Sequence, residues 1–118
     1  MRSKIDLSST IKYIAGLFDG EGCGGIYKHH QSKICKIQIK MTNFGPIDYV
    51  NKHFPGYIGY YQLPSQKWCM YWILQHKSAY RFAKTILPVV KNLAKVRQLN
   101  KIIDHYEIGG KVHNVYLF

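Results

Sequence analysis

Between Lys33 and Thr42 the sequence alternates without a break. Cys35, Ile37, Ile39 and Met41 fall on one row, and Lys36, Gln38, Lys40 and Thr42 on the other. Successive side chains leave a strand on opposite sides, so a period of two marks a strand with one buried and one wet face. Such a strand belongs in an antiparallel sheet packed on one side only. Its wet row is cationic and amide-bearing and holds no acid.

The remaining segments supply partners for that strand and a cover for its apolar row. Glycines 20, 22, 24 and 25 lead into a strand over Cys23–His29, with a turn around His30–Ser32. Two more strands, Tyr57–Gln62 and Lys67–Gln75, flank the Pro64-Ser65 turn. Helical spacing marks Ser9–Asp19, with Ser8, Ser9 or Thr10 as N-cap. A second helix has Pro46 as its first residue and places Ile47, Val50 and Phe54 inward; Pro55-Gly56 ends it. Ser78 is positioned to cap a third, which carries Ala79, Phe82, Ala83, Ile86 and Leu87. Pro88 interrupts, and a fourth runs to about Glu107 on Leu93, Val96, Leu99 and Ile103. The tail Val112–Phe118 is apolar and has no assigned place. The order α-β-β-α-β-β-α-α predicts an α+β fold in which helices cover one face of an antiparallel sheet. The other face is left for a ligand, and a two-stranded ribbon suits the major groove of DNA.

Charge points to the same ligand. Seventeen Lys and Arg against six Asp and Glu give +11, and a domain this basic faces a polyanion. No carboxylate occurs from Gly22 to Ile47 or from Tyr49 to Ile103. A membrane-surface protein would show a cationic amphipathic helix, and no apolar run is long enough to span a bilayer. Cys23, Cys35 and Cys69 form no CxxC and cannot all pair, which argues against a zinc ribbon or a disulfide framework. The first residues lack the apolar stretch of a secretory signal, so an intracellular address is expected. The 118 residues suit one domain, with a core over about 9–107 and a tail over 108–118.

The first helix is apolar on two sides. Ile11, Ile14, Ala15 and Phe18 mark one, while Tyr13, Gly16, Leu17 and Gly20 mark the other. One side fits its own sheet; the other needs a partner. Gly16 and Gly20, four apart, form a notch that lets two helix backbones approach. Asp19 and Glu21 then follow where the helix ends, beside flexible glycines. A carboxylate there can hold a hard divalent cation, or it can simply cap the junction or pair with surplus lysines. The aromatics Tyr57, Tyr60, Trp68, Tyr71 and Trp72 are expected mostly in the core.

Residues 13–22 read YIAGLFDGEG. The run from Ile14 to Gly22 resembles the signature of the LAGLIDADG homing endonucleases. So do Ile86-Leu87-Pro88 ahead of Lys95-Val96-Arg97-Gln98, Thr42-Asn43 before Pro46, and Phe54–Ile58; together they cover Ser9 to Tyr106. The resemblance implies an αββαββα fold with a curved four-stranded DNA-binding sheet. It further implies site-specific, Mg²⁺- or Mn²⁺-dependent double-strand cleavage by a homodimer on a long pseudo-palindromic site, and spread of a mobile intron or intein. On this basis Glu21 is the metal ligand, with Gly20 beside it; the family more often has Asp at position 21. Asp19 is a structural acid of the helix end. Lys95 and Gln98 would act near the scissile phosphate, with Lys91 on the same helical face. Alternation and the resemblance give a DNA-contacting set of Tyr27, His29, Lys36, Gln38, Lys40, Thr42, Tyr61, Trp72 and Lys91, with Gly25, Gly59 and Met70 in the same rows. The solvent-positioning residue lies among Met41, Thr42 and Asn43. Dimer contacts are expected at Tyr13, Ala15, Gly16, Leu17 and Gly20. No small-molecule cofactor beyond the metal is implied. The rival readings are a nuclease-inactive maturase or transcription factor of the same fold, and a structural basic protein.

Overall fold

In the computed structural model, which describes residues 2–109, the two-faced helix becomes α1, Arg2–Glu21. Ile14, Ala15 and Phe18 are buried, and Tyr13, Gly16 and Gly20 face outward. The chain passes directly into β1 (Gly22–His29), turns at His30-Gln31 with His30 at φ 58°, and returns as β2 (Ser32–Met41). Asn43 then caps α2 (Phe44–His53), its side chain accepting from the Gly45 N–H at 3.3 Å. A second hairpin, β3 (Tyr57–Gln62) and β4 (Trp68–Gln75), leads into α3 (His76–Ile86). A 3₁₀ turn at Leu87–Val89, helix α4 (Leu93–Asp104) and a π turn at His105–Gly109 complete the described chain.

The four strands form one antiparallel sheet in the order β1-β2-β4-β3. The apolar row of β2 is buried as its period requires: Cys35, Ile37 and Ile39 are at most 1% exposed. Met70, Trp72 and Leu74 of β4 join it beneath Phe82, Ile86, Leu99 and Ile102 of α3 and α4. Each fully buried large side chain contributes about 1.5–3 kcal/mol relative to exposure.

Several boundaries differ from the sequence-based expectation. Helix α1 runs through Gly20, so Asp19 and Glu21 lie in its last turn rather than beyond it. The exit is set at Gly22, where a Cβ would stand 2.1 Å from Phe18 Cδ1. Helix α2 starts two residues before Pro46, which occupies the first turn, where its missing N–H has no intrahelical acceptor to lose. Helix α3 starts at His76, ahead of Ser78; His76, at φ 55°, turns the chain straight out of β4. Helix α4 stops at Asp104. Tyr57, Tyr60 and Trp68 are exposed rather than core. The tail Val112–Phe118 lies outside the described residues. Among these, no helix is long and apolar enough to cross a membrane, no group of three or more metal-type ligands occurs, and all three cysteines are free.

Candidate functional site

The open sheet face begins with the polar row of β2. Lys36 is opposite Gly25 and Gln75, Gln38 opposite Cys23 and Ile73, and Lys40 opposite Tyr71. Directly opposed residues share a face, so this register assembles the wet rows of all the strands. The Lys36 ammonium stands 5.0 Å from the Tyr27 ring centre, and that of Lys40 stands 6.0 Å from the Tyr61 ring. The amines are thereby supported by rings and, among the described residues, unpaired with any acid. Across the sheet, Tyr57 and Tyr61 each lean on Tyr71 with ring centres 6.1 Å apart. Gly59 makes room for this, because a Cβ there would lie 2.2 Å from Tyr71 Cζ. The face therefore has a basic half on β1 and β2 and a tyrosine half on β3 and β4.

Partial desolvation, then Cys23, pushes the Tyr27 phenol above its ordinary pKa. Tyr61 is raised first by its bond with Cys69, and Tyr71 by desolvation. All three hydroxyls stay neutral donors at physiological pH.

Trp72 is not part of this face. It is fully buried, donates its indole N–H to the Phe54 carbonyl at 2.9 Å and packs edge-on against Phe82 at 5.3 Å. Met70 is buried beside it. Both rows of β4 are apolar or aromatic, so its pattern could not choose a face; pairing with β2 does, and it places Tyr71 and Ile73 outward instead. Sequence reasoning missed Tyr71 for that reason, and Tyr57 of β3 because it was expected in the core although it shares the row of Gly59 and Tyr61. Thr42 is exposed just past the end of β2, Met41 packs against the core, and Asn43 is engaged as the α2 cap. His29 pairs with Ser32 at the hairpin end, and its side chain lies outside the described set.

The end of α1 collects the acidic and basic candidates. Asp19 accepts the Lys91 N–H on both oxygens (3.1 and 2.9 Å) and the Asn92 N–H at 3.0 Å, tying α1 to the start of α4. Lys91 precedes α4 instead of riding on it, so Lys91, Lys95 and Gln98 do not form one helical stripe. Lys95 Nζ donates to the Gly22 carbonyl and lies 5.6 Å from the Phe18 ring centre. Gln98 Oε1 accepts the Gly24 N–H at 2.8 Å. Both side chains thus brace the α1–β1 junction, within three residues of Glu21.

Glu21 itself is exposed and, among the described residues, its carboxylate has no hydrogen-bond or ion-pair partner. The last turn of α1 holds no basic residue. An acid at a helix C-terminus opposes the macrodipole at about 0.3–1 kcal/mol. For Asp19 two backbone donors, the Lys91 and Asn92 N–H groups, offset this; for Glu21 no described residue does.

On the outer side of α1, Tyr13 is 47% exposed, Gly16 and Gly20 are open, and Leu17 is half-buried. A Cβ on either glycine would meet nothing within 4 Å. Ala15 does not belong to this surface. It is 1% exposed because it falls on the Ile11–Ile14–Phe18 side of the helix, inside the protomer's own core.

By sequence, no family model and no curated protein matches the chain. By structure the likeness is extensive. The homing endonuclease I-CvuI, in complex with its target, superposes with a TM-score of 0.61 at 14% identity over 78% of this chain and 62% of that one. The group I intron-encoded homing endonuclease I-CeuI, complexed with DNA, gives 0.64 at 11% identity over 92% and 59%. The LAGLIDADG meganuclease I-AabMI, bound to uncleaved DNA, gives 0.52 at 15% identity over 85% and 40%. The chain has the LAGLIDADG homing endonuclease fold. It spans less than two thirds of the length of any of these three neighbours. Within the LAGLIDADG fold, the signature segment is the second half of α1, and the open face is the four-stranded sheet.

Proposed function

We propose that this chain is a divalent-metal-dependent DNA endonuclease that works as a homodimer on a pseudo-palindromic site. One observation carries the reading: an exposed, unpartnered Glu21 terminates the helix whose neighbouring face, Gly16 and Gly20, is open for a second helix. Neighbours of the same fold captured on DNA support it.

The donor set fits Mg²⁺. That ion is commonly held by one or two carboxylates plus substrate phosphate oxygens rather than by an all-protein cage. A single free carboxylate at this helix end, Glu21, matches a site completed by a second copy and by the DNA. Glu21, with the Gly20 carbonyl beside it, would hold the ion. When bound, it supplies charge neutralisation at the phosphate and an acidified water. The chain's own residues do the rest. Asp19 fixes the helix end against α4. Lys95 sets a positive charge at the Gly22 carbonyl, next to the place where phosphate charge would build up. The basic half of the sheet binds the duplex, with Gln38 suited to a bidentate contact with adenine. Carriage by a mobile intron or intein belongs to the same proposal.

A second reading is a nuclease-inactive DNA- or RNA-binding module of the same fold. It is favoured by the engagement of Lys95 and Gln98 with backbone. Glu21→Gln separates the two. On a duplex selected for binding, the wild type should cleave in Mg²⁺. The variant should bind equally well, keep or slightly raise its Tm, and cleave at least about a hundredfold more slowly. A wild type that binds its selected duplex and never cuts it would leave the module.

A further inference from the structure

Strand β1 is an edge of the sheet, and between it and α4 runs a groove of about 520 Å³ lined by Tyr27, Lys28, Lys33, Gln98 and Lys101 along the backbone of Gly24–Ile26. The Gly24 N–H points out of the sheet, since it is donated to Gln98. N–H direction alternates along an antiparallel strand, so the Ile26 and Lys28 N–H groups also point out of the edge, into the groove. The same alternation makes Lys28 and Lys33, which are directly opposite each other, a non-hydrogen-bonded pair. In such pairs the Cα atoms are only about 4.5 Å apart and the side chains stand closest.

Two like charges so placed destabilise a hairpin. Lys28 and Lys33 share the helix-side row with Gly24, Ile26, Cys35 and Ile37, whereas Tyr27 and Lys36 occupy the open face. Lys101 of α4 adds a third ammonium, all three lysines are exposed, and no carboxylate lines the groove. The groove therefore wraps the edge of β1 from the open face to the helix side, presenting three cations and outward amide donors. Its charge has no counterpart within its own walls.

We infer that the β1 edge is a phosphate track, which holds one backbone strand of duplex DNA as it leaves the open face and reads no bases. The inference rests on the DNA-binding reading proposed for the open face. It extends the footprint to a surface that the polar rows do not include.

The test is equilibrium binding of the full chain to a mixed-sequence duplex of about three helical turns, roughly 30 base pairs. It is followed by fluorescence anisotropy in EDTA between about 50 and 200 mM salt. Every phosphate deprived of its lysine takes about 0.9 off the log–log salt slope. Lys28→Ala/Lys33→Ala/Lys101→Ala should therefore lower the slope by about 2 to 3 and weaken low-salt affinity about tenfold or more. Lys36→Ala/Lys40→Ala, on the open face, should lower the slope independently. Lys33→Glu adds a readout that a purely structural role would not move. It turns the opposed lysines into an ion pair, so Tm should rise while DNA affinity falls below that of Lys33→Ala. If the triple variant keeps the wild-type slope while the open-face double loses its share, the track is refuted and the open-face reading stands. If the open-face double binds as the wild type does, the DNA-binding reading fails and the track fails with it.

Discussion

Gly16→Ala should strengthen the protomer and weaken the pair. Position 16 lies within α1, exposed, and a Cβ there meets nothing within 4 Å. Replacing glycine by alanine in a helix interior gains about 0.5–1 kcal/mol, mainly from backbone entropy. In a chain of this size that raises the protomer's Tm by about 4 °C. The dimer responds in the opposite sense. Two helices meeting over Gly16 and Gly20 approach as closely as glycine allows, so an added methyl is overpacked at about 1–3 kcal/mol. A two-fold interface counts it twice, weakening association by a factor of roughly 30 to 20,000. Sedimentation across a dilution series reads the second effect, and thermal melts at low and high protein concentration separate it from the first. The wild-type Tm should rise with concentration, and the variant's should not. At high dilution the variant should be the more stable of the two. Ala15→Leu is the matched control, because Ala15 is already buried; it should lower Tm by overpacking the protomer at every concentration. A Gly16→Ala protein that associates like wild type would refute pairing through this helix face, as would a wild type that stays monomeric throughout.

Two further outcomes concern residues inside the protomer. Trp72→Phe strands the Phe54 carbonyl and leaves a void, so denaturant unfolding should show a loss of about 2 kcal/mol with DNA affinity unchanged; a drop in affinity at unchanged stability would return residue 72 to the open face. Asp19→Ala removes the acceptor of the Lys91 and Asn92 N–H groups and should cost about 1–2 kcal/mol in thermal unfolding, the scale of a missing helix cap. A silent Asp19→Ala would mean that the α1–α4 tie contributes nothing.

The order of elements and the wet row of β2 were legible in the sequence because they rest on periodicity, which is local. Lys36, Gln38 and Lys40 needed only an unbroken alternation to be placed together. The division of α1 into two apolar sides was equally local, and so was the resemblance around Glu21. Ala15 shows the limit: its spacing puts it with Ile11, Ile14 and Phe18, the resemblance put it among the dimer contacts, and the packing of that side into the protomer's core decides between them. Trp72 shows another, since a strand that is apolar on both rows carries no internal signal of its outward side. The pairing of Lys40 with Tyr71 settles that through hydrogen bonds to a strand some thirty residues away. Lys95 and Gln98 could be named from the resemblance, but their engagement with the Gly22 and Gly24 backbone is a long-range contact that no local pattern encodes. Sequence determined which side chains alternate and which charges lack partners nearby. Tertiary structure decided which of those rows faces outward, and which charges still lack a partner once the chain has closed on itself, because register and burial are properties of pairs of segments and not of either one alone.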